Sequence, residues 1–303
     1  MNKVEKLLKK MRCPKCHGMF KLTTYQMEGN DIVEGTLQCE NAHQFGIHAG
    51  VIDFGSEEQE GLNTWSEYLK TIEYDEMEKQ IEDAKSVKEK EQQALFLETI
   101  SDCVLRKNPK IVVDIASGRG MLLEKMISNL SDSTGLVATD LSFEIMVKDR
   151  IKFKKLFPGK SIVYMACDAT RLPFAERTAD VTVSFLGVAN MFQLVEQGIS
   201  EAARVTGPEG VFLNGYLNVK EDSEGFRIAR EMCMKQNMQG VERVFLEQDV
   251  KMLHQKYFQT VNVQTVVEDI FEEKENAIDL FPYPGEWFAY RIYEGKRGGS
   301  FRL

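Results

Sequence analysis

The chain has 303 residues, of which 43% are hydrophobic and 28% charged, and its net charge is −9. That composition suits a globular protein large enough for one sizeable α/β domain plus a small module, and no apolar run reaches the ~20 residues of a bilayer-spanning helix. An acidic chain is also poorly suited to holding long nucleic acid by phosphate neutralisation alone, although the charge is uneven: residues 1–21 hold seven Lys/Arg against the single acid Glu5, and residues 56–93 hold twelve acids against five lysines.

The first ten residues, MNKVEKLLKK, are amphipathic and lack the apolar core and small-residue cleavage site of a secretory signal. The six cysteines do not form a disulfide framework, since three cluster near the N-terminus and Cys103, Cys167 and Cys233 are scattered. A cytoplasmic location is therefore expected. The cluster itself has metal-site spacing: Cys13 and Cys16 flank two residues and are followed by a turn glycine, Gly18, while Cys39 is followed by His43. Three thiolates and an imidazole suit tetrahedral zinc in a structural site. The second pair has three intervening residues, and His17 and His48 are substitute ligands in sequence range. A module this small builds little core of its own, so metal is expected to supply much of its folding free energy.

Residues 56–108 are polar and acidic and read as helical. Their end places Ala94, Leu95, Leu97, Ile100, Val104 and Leu105 at roughly helical spacing. From Pro109 onward, short apolar strands alternate with helices. The strands are expected at Ile111–Ile115, Leu136–Thr139, Ile162–Ala166, Val181–Phe185 and Val211–Tyr216. Helical faces are expected at Met121, Leu122, Met126, Ile127 and Leu130, and at Ile199, Ala202, Ala203 and Val205, the latter stopped by Gly207-Pro208. Such alternation implies a parallel sheet with right-handed crossovers. Residues 221–257 read as helical and rich in Met, and Phe258–Phe271 and Trp287–Tyr293 as two closing strands.

The first of these strands ends in Asp114-Ile115-Ala116-Ser117-Gly118-Arg119-Gly120. Small residues there let the backbone approach a ligand at the carboxyl end of a strand. Asp140 ends the second strand, where an acid accepts both hydroxyls of a ribose. Asp168-Ala169 ends the third, placed to meet an adenine amino group. A dinucleotide site is the rival, but its fingerprint requires glycine at position 123, which is Leu.

Asp114–Gly120 resembles motif I of class I S-adenosylmethionine-dependent methyltransferases in its D-x-A-x-G-x-G form, with Ala116 where glycine is common. Asp140 resembles the family's ribose acid, and Asp168 its adenine acid. The Leu172-Pro173-Phe174 that follows, and Arg204-Val205-Thr206-Gly207-Pro208-Glu209-Gly210, resemble the type 11 subgroup. The likeness is good over about residues 90–220 and extends to the C-terminal third only in layout. It implies a Rossmann-like α/β fold with a seven-stranded methyltransferase sheet whose last strand runs antiparallel. It also implies S-adenosyl-L-methionine as cofactor, held by Asp114, Ala116, Ser117, Gly118, Gly120, Asp140, Leu141, Asp168, Ala169 and Phe185.

The N-terminal region resembles the zinc ribbon fused to many bacterial methyltransferases, which implies zinc on Cys13, Cys16, Cys39 and His43. It is distantly similar to that of the ribosomal RNA guanine-N1 methyltransferases, but it lacks their G-D-S-K-x-M motif and has Trp65-Ser66-Glu67-Tyr68-Leu69 and Tyr74-Asp75-Glu76-Met77 instead. The expected domains are a β-rich zinc-ribbon module over 1–55, a helical linker and cofactor lid over 56–108, and the methyltransferase domain over 109–303.

Methyl transfer from a sulfonium needs positioning more than acid–base chemistry, and no residue is assigned a catalytic role. Trp65, Tyr74 and Asn190 are candidates to lie near the acceptor, and Met232, Met234 and Met238 to line an apolar pocket. Ser184–Asn190 lacks the N/D-P-P-Y pattern of many amino-group methyltransferases. The expected acceptor is a small molecule with an apolar part. The alternatives are RNA gripped by the basic ribbon, and a non-catalytic cofactor-binding adaptor.

Overall fold

A computed structural model of the chain describes residues 2–55, 72–160, 162–235, 239–272 and 282–298. Its N-terminal part comprises α1 (Lys3–Leu8), β1 (Phe20–Glu28), β2 (Asp31–Cys39), β3 (Gln44–His48) and β4 (Val51–Asp53). Two helices follow, α2 (Tyr74–Asp83) and α3 (Val87–Leu105). The alternating region comprises β5 (Ile111–Ile115), α4 (Met121–Ile127), β6 (Gly135–Asp140), α5 (Phe143–Leu156), β7 (Ile162–Ala166), β8 (Ala179–Phe185), a 3-10 segment at Ala189–Leu194, α6 (Val195–Val205) and β9 (Thr206–Val219). The chain then forms α7 (Glu224–Lys235), α8 (Glu242–Phe245), α9 (Glu247–Gln255), β10 (Thr260–Ile270) and β11 (Trp287–Lys296).

All eleven strands form one sheet in the order β1-β2-β3-β4-β7-β6-β5-β8-β9-β11-β10. Strands β4, β7, β6, β5, β8 and β9 run parallel, and β11 pairs antiparallel with β9. The expectation of a seven-stranded sheet beside a separate ribbon is thus corrected. The stretch β7 to β10 has the expected seven strands and antiparallel closing strand, but the N-terminal strands extend the same sheet. Val51, Ile52 and Asp53 lie opposite Tyr164, Met165 and Ala166, so the backbone groups on the outer edge of β7 are paired rather than exposed.

Both faces of the parallel strands are covered, and side chains alternate between them, as a two-unit repeat requires. Val112, Leu136, Ala138, Val181 and Leu213 join the core beneath α3, α4 and α5, whereas Val113, Val137, Val163, Phe212 and Tyr216 join the core beneath α6 and α9. The second core is continuous with Phe20, Leu37, Phe45, Ile47 and Phe54 of the N-terminal strands. Phe20, Phe45 and Phe54 pack with ring centroids 5.1–5.9 Å apart.

Capping residues define the helix starts. Asn2 and Glu5 form a reciprocal capping box on α1, as do Ser86 and Glu89 on α3, and Ser142 caps α5. In α3 the inward stripe is Phe96, Leu97, Ile100, Cys103 and Val104, while Leu95 faces solvent. Strand β9 begins at Thr206, because Thr206 already lies opposite Ala179, so the chain enters the sheet directly from α6 despite Gly207-Pro208.

His254 of α9 is fully buried, with Nδ1 at 2.8 Å from the Val250 carbonyl and Nε2 at 3.2 Å from the Asn214 amide nitrogen. Burial holds its pKa down at about 4. The ring is neutral in the fold, while the unfolded chain takes up a proton below about pH 6.5. Stability from this residue is therefore intact above that pH and lost as pH falls towards 4, by about 3 kcal/mol. Urea midpoints of wild type and His254→Gln between pH 7 and pH 5 should show a shallower acid slope in the variant, and equal slopes would refute the assignment.

Candidate functional site

Three strand ends of the parallel sheet lie side by side, because β7, β6 and β5 are neighbours. The loop after β5 is held against β6 by main-chain contacts: the Ser117 N–H donates to the Thr139 carbonyl at 2.8 Å, and the Gly118 N–H donates to Asp140 Oδ2 at 2.9 Å. Thr139 Oγ1 returns a bond to the Asp114 carbonyl at 2.9 Å. The loop needs left-handed backbone, with φ of 52° at Ala116, 55° at Gly118 and 68° at Gly120. A Cβ on Gly120 would lie 2.5 Å from the Phe153 ring and 2.7 Å from Asp149 Oδ2, so glycine is required both for conformation and for space. The loop after β8 packs as closely, since a Cβ on Gly187 would lie 2.1 Å from the Ala116 carbonyl oxygen.

The electrostatics of this loop are those of a cation site. Asp114 is 1% exposed and neither carboxylate oxygen has a hydrogen-bond partner in the structure. Burial, and then the neighbouring Asp140, push its pKa well above the carboxylate range. The buried Ser117 hydroxyl is likewise unpartnered. Burial also raises Asp140, opposed by the backbone N–H groups of Ser142, Gly118 and Leu141. Buried polar groups are normally satisfied, so an orphaned carboxylate beside a glycine loop fits a ligand bearing a cationic or N–H donor. A pyrophosphate would meet two buried acids. Leu123, where a dinucleotide site needs glycine, is fully buried in the core.

The remaining residues expected at the cofactor divide by position. Asp168, half-buried just beyond β7, accepts from the Thr170 N–H and Oγ1 at 2.8 and 2.7 Å and faces Arg171. Leu141 and Ala169 are half-buried beside Asp140 and Asp168. Phe185, half-buried at the end of β8, packs its ring 5.0 Å from that of Phe96.

The residues expected near an acceptor are placed as follows. Tyr74 is buried, and its hydroxyl donates to Asp149 Oδ1 at 3.3 Å and Glu78 Oε1 at 3.2 Å. It is a packing and bonding residue of α2. Met232 and Met234 are 47% and 63% exposed, so neither lines an internal pocket. The inward face of α7 is Phe226, Ala229 and Cys233. Asn190 is exposed, and Trp65 and Met238 lie outside the described residues.

Sequence reasoning missed Asp149, a carboxylate on the buried face of α5 between Ile145, Met146 and Phe153. Its signal was available as a charged residue at a helical core position. Its Oδ2 is unpartnered, and burial raises its pKa well above the usual range. Arg119, within the glycine loop, is 8% exposed and lies 3.7 Å from Glu78. Together these contacts fasten α2 to the back of the loop.

A second constellation sits where β1 begins and β2 ends, beside the paired residues Phe20 and Cys39. Cys13, Cys16, Cys39 and His43 place one ligand atom each within 4.8 Å of one another. Cys16 Sγ is 3.6 Å from Cys39 Sγ, and His43 Nδ1 is 3.6 and 3.4 Å from the sulfurs of Cys13 and Cys39. A tetrahedron with Zn–S of about 2.3 Å and Zn–N of about 2.0 Å has edges of about 3.5–3.8 Å, whereas a disulfide needs about 2.05 Å. The Gly18 N–H holds the Cys16 thiol low, at about 6, favouring a thiolate, while burial pushes Cys13 up. His48 is engaged by Glu34 at 3.0 Å instead. The residues thus fit a structural zinc ion.

Residues 113–214 match the family model described as "Methyltransferase domain". Curated relatives include the ubiquinone/menaquinone biosynthesis C-methyltransferase UbiE of Blochmanniella pennsylvanica, 33% identical over 104 residues (34% of this chain, 40% of that protein). Another is the demethylmenaquinone methyltransferase of Porphyromonas gingivalis, 34% identical over 98 residues (32% of this chain, 39% of that protein). The chain spans about two fifths of the length of these relatives. Among solved structures, phosphoethanolamine N-methyltransferase 2 of Haemonchus contortus is 15% identical with a TM-score of 0.48, covering 62% of this chain and 49% of that one; a likeness so distant carries no argument about function. The stretch from β5 into β9 therefore resembles a methyltransferase domain, set in a sheet that continues on both sides of it.

Proposed function

We propose that the protein is an S-adenosylmethionine-dependent methyltransferase acting on a small molecule with an apolar part. The observation that carries this reading is the orphaned, buried Asp114 carboxylate beneath a glycine loop that is bonded to Asp140 at the next strand end. In this reading Asp114 and Ser117, with the backbone of Ala116, Gly118 and Gly120, receive the ammonium-bearing end of the cofactor. Asp140 accepts the ribose hydroxyls beside Leu141, Asp168 and Ala169 meet the adenine, and Phe185 supports the site from β8. The cofactor supplies an electrophilic methyl group and its own leaving group. The chain's task is then to hold the acceptor in line with the breaking bond and to exclude water. A carbon nucleophile on an electron-rich ring needs little base, which agrees with the lack of an evident catalytic acid or base among the described residues. The names of the two curated relatives, a ubiquinone/menaquinone biosynthesis C-methyltransferase and a demethylmenaquinone methyltransferase, support an acceptor of this chemical kind.

The division of the chain is proposed to follow the same lines. Residues 1–55 form a zinc-ribbon module with one structural zinc on Cys13, Cys16, Cys39 and His43, 56–108 lead to the cofactor site, and 109–303 perform the transfer. Metal analysis of protein purified without chelator should find one zinc per chain, and Cys39→Ser should lower that content several-fold. The acceptor class is tested by incubating the protein with methyl-labelled S-adenosylmethionine and either demethylmenaquinol or total ribosomal RNA. Label in the organic extract supports the proposal. Label in the RNA alone would replace it with an RNA methyltransferase.

A further inference from the structure

The backbone joins the proposed cofactor and metal sites around one loop. Strand β7 ends at Ala166, and the Phe54 N–H donates to its carbonyl at 2.9 Å. Seven residues later the chain is met again from the N-terminal side. The Arg12 N–H donates to the Pro173 carbonyl at 3.0 Å, the Ala175 N–H donates to the Lys10 carbonyl at 2.8 Å, and Met11 forms an antiparallel bridge with Phe174. Met11, Cys13 and Phe174 are all fully buried. The segment 167–172, which carries Asp168, is thus held at both ends by the module that bears the cysteine and histidine cluster. One of those ends lies within two residues of Cys13.

We propose that metal binding by Cys13, Cys16, Cys39 and His43 positions Asp168 for the adenine end of the cofactor, so that metal and cofactor bind with positive linkage. The proposal rests on the methyltransferase reading above. The Lys10–Arg12 segment takes its course from its contacts with the Asp168 loop, from the short helix α1 and from the burial of Met11 in the core, and metal would further fix Cys13 directly after it. With the metal bound, Lys10–Arg12 and Asp53–Phe54 become a rigid frame on either side of the loop. Without it, the first of these supports is free to shift. A counter-support exists: Arg204 of α6, paired with Glu201, donates to the carbonyls of Leu172 and Phe174 at 3.1 and 2.7 Å. Arg204 holds the same end of the loop that Lys10–Arg12 meets, so metal loss should loosen Asp168 rather than release the whole segment. The effect should fall on the adenine end, because the glycine loop is bonded to β6 and not to the N-terminal strands.

The test is a linkage measurement on the full-length protein, with S-adenosylhomocysteine and zinc as the probes. Metal-loaded protein should bind S-adenosylhomocysteine about tenfold more tightly than metal-free protein of unchanged far-UV circular dichroism, and saturating S-adenosylhomocysteine should tighten zinc by the same factor in chelator competition. In Asp168→Asn the affinity should be lower and the linkage should disappear. Equal affinities with and without metal would overturn the proposal while leaving the methyltransferase reading intact, and so would a linkage that persists in Asp168→Asn, since that pattern reports global unfolding. Failure of the metal-loaded protein to bind S-adenosylhomocysteine at all would overturn both.

Discussion

Replacing Asp140 with alanine should weaken S-adenosylhomocysteine binding by on the order of a hundredfold or more, with the protein still folded. Two ribose hydroxyls donating to one carboxylate are charge-assisted bonds, each contributing about 1.5–3 kcal/mol. The same carboxylate accepts from the Gly118 and Ser142 N–H groups, at 2.9 and 3.0 Å, so its loss also frees the loop that faces the ligand. The fold should survive, because the variant removes a carboxylate that burial already disfavours in its charged form. Calorimetric titration gives the affinity, and circular dichroism with a thermal melt gives the integrity. An affinity equal to wild type would show that Asp140 does not hold the ribose.

Asp114→Asn should do two opposite things: stabilise the ligand-free protein and weaken cofactor binding. The carboxylate is buried without a partner, and burial raises its folded pKa well above the unfolded value of about 3.9. A group with a raised acid pKa favours the fold at low pH, and that contribution is lost as pH rises through the folded value. At neutral pH Asp114 therefore opposes folding, and an uncharged amide removes much of that penalty. A melting temperature several degrees higher at pH 8 is expected, since about 1 kcal/mol corresponds to about 2–4 °C in a chain of this size. The gain should shrink towards zero near pH 4. Affinity for S-adenosylhomocysteine should fall at least tenfold, because the ammonium group loses its charged partner. A lower melting temperature with unchanged affinity would mean that Asp114 has a structural partner instead.

The geometry of the candidate cofactor site was legible in the chain because its parts are local. A strand that ends in an acid and then small residues announces a loop of the Asp114–Gly120 kind, and Asp140 and Asp168 follow at the next two strand ends. The cysteine and histidine cluster was legible from the spacing within each pair, and the pairing of β1 with β2 brings the two pairs together. What could not be read is tertiary. Val51–Asp53 is three residues long, too short for a periodic signal, yet it joins the N-terminal strands to β7 and turns an expected separate module into one sheet. Asp149 stood at a helical core position between Met146 and Phe153, but only the packing of α5 against Gly120 shows what the buried acid faces. Tyr74 carried the right chemistry for an acceptor site, but the placement of α2 turns its hydroxyl towards Asp149. Methionines are equally at home in cores and on surfaces, so Met232 and Met234 had to be located rather than inferred.

The central claim is the cofactor class, and calorimetric titration of the purified protein with S-adenosylhomocysteine, alongside NAD, tests it most directly. The account predicts micromolar binding of the first and none of the second, because two buried acids and Leu123 suit a cationic nucleoside and oppose a pyrophosphate. Binding of NAD alone would contradict it outright, and binding of neither would overturn the cofactor assignment.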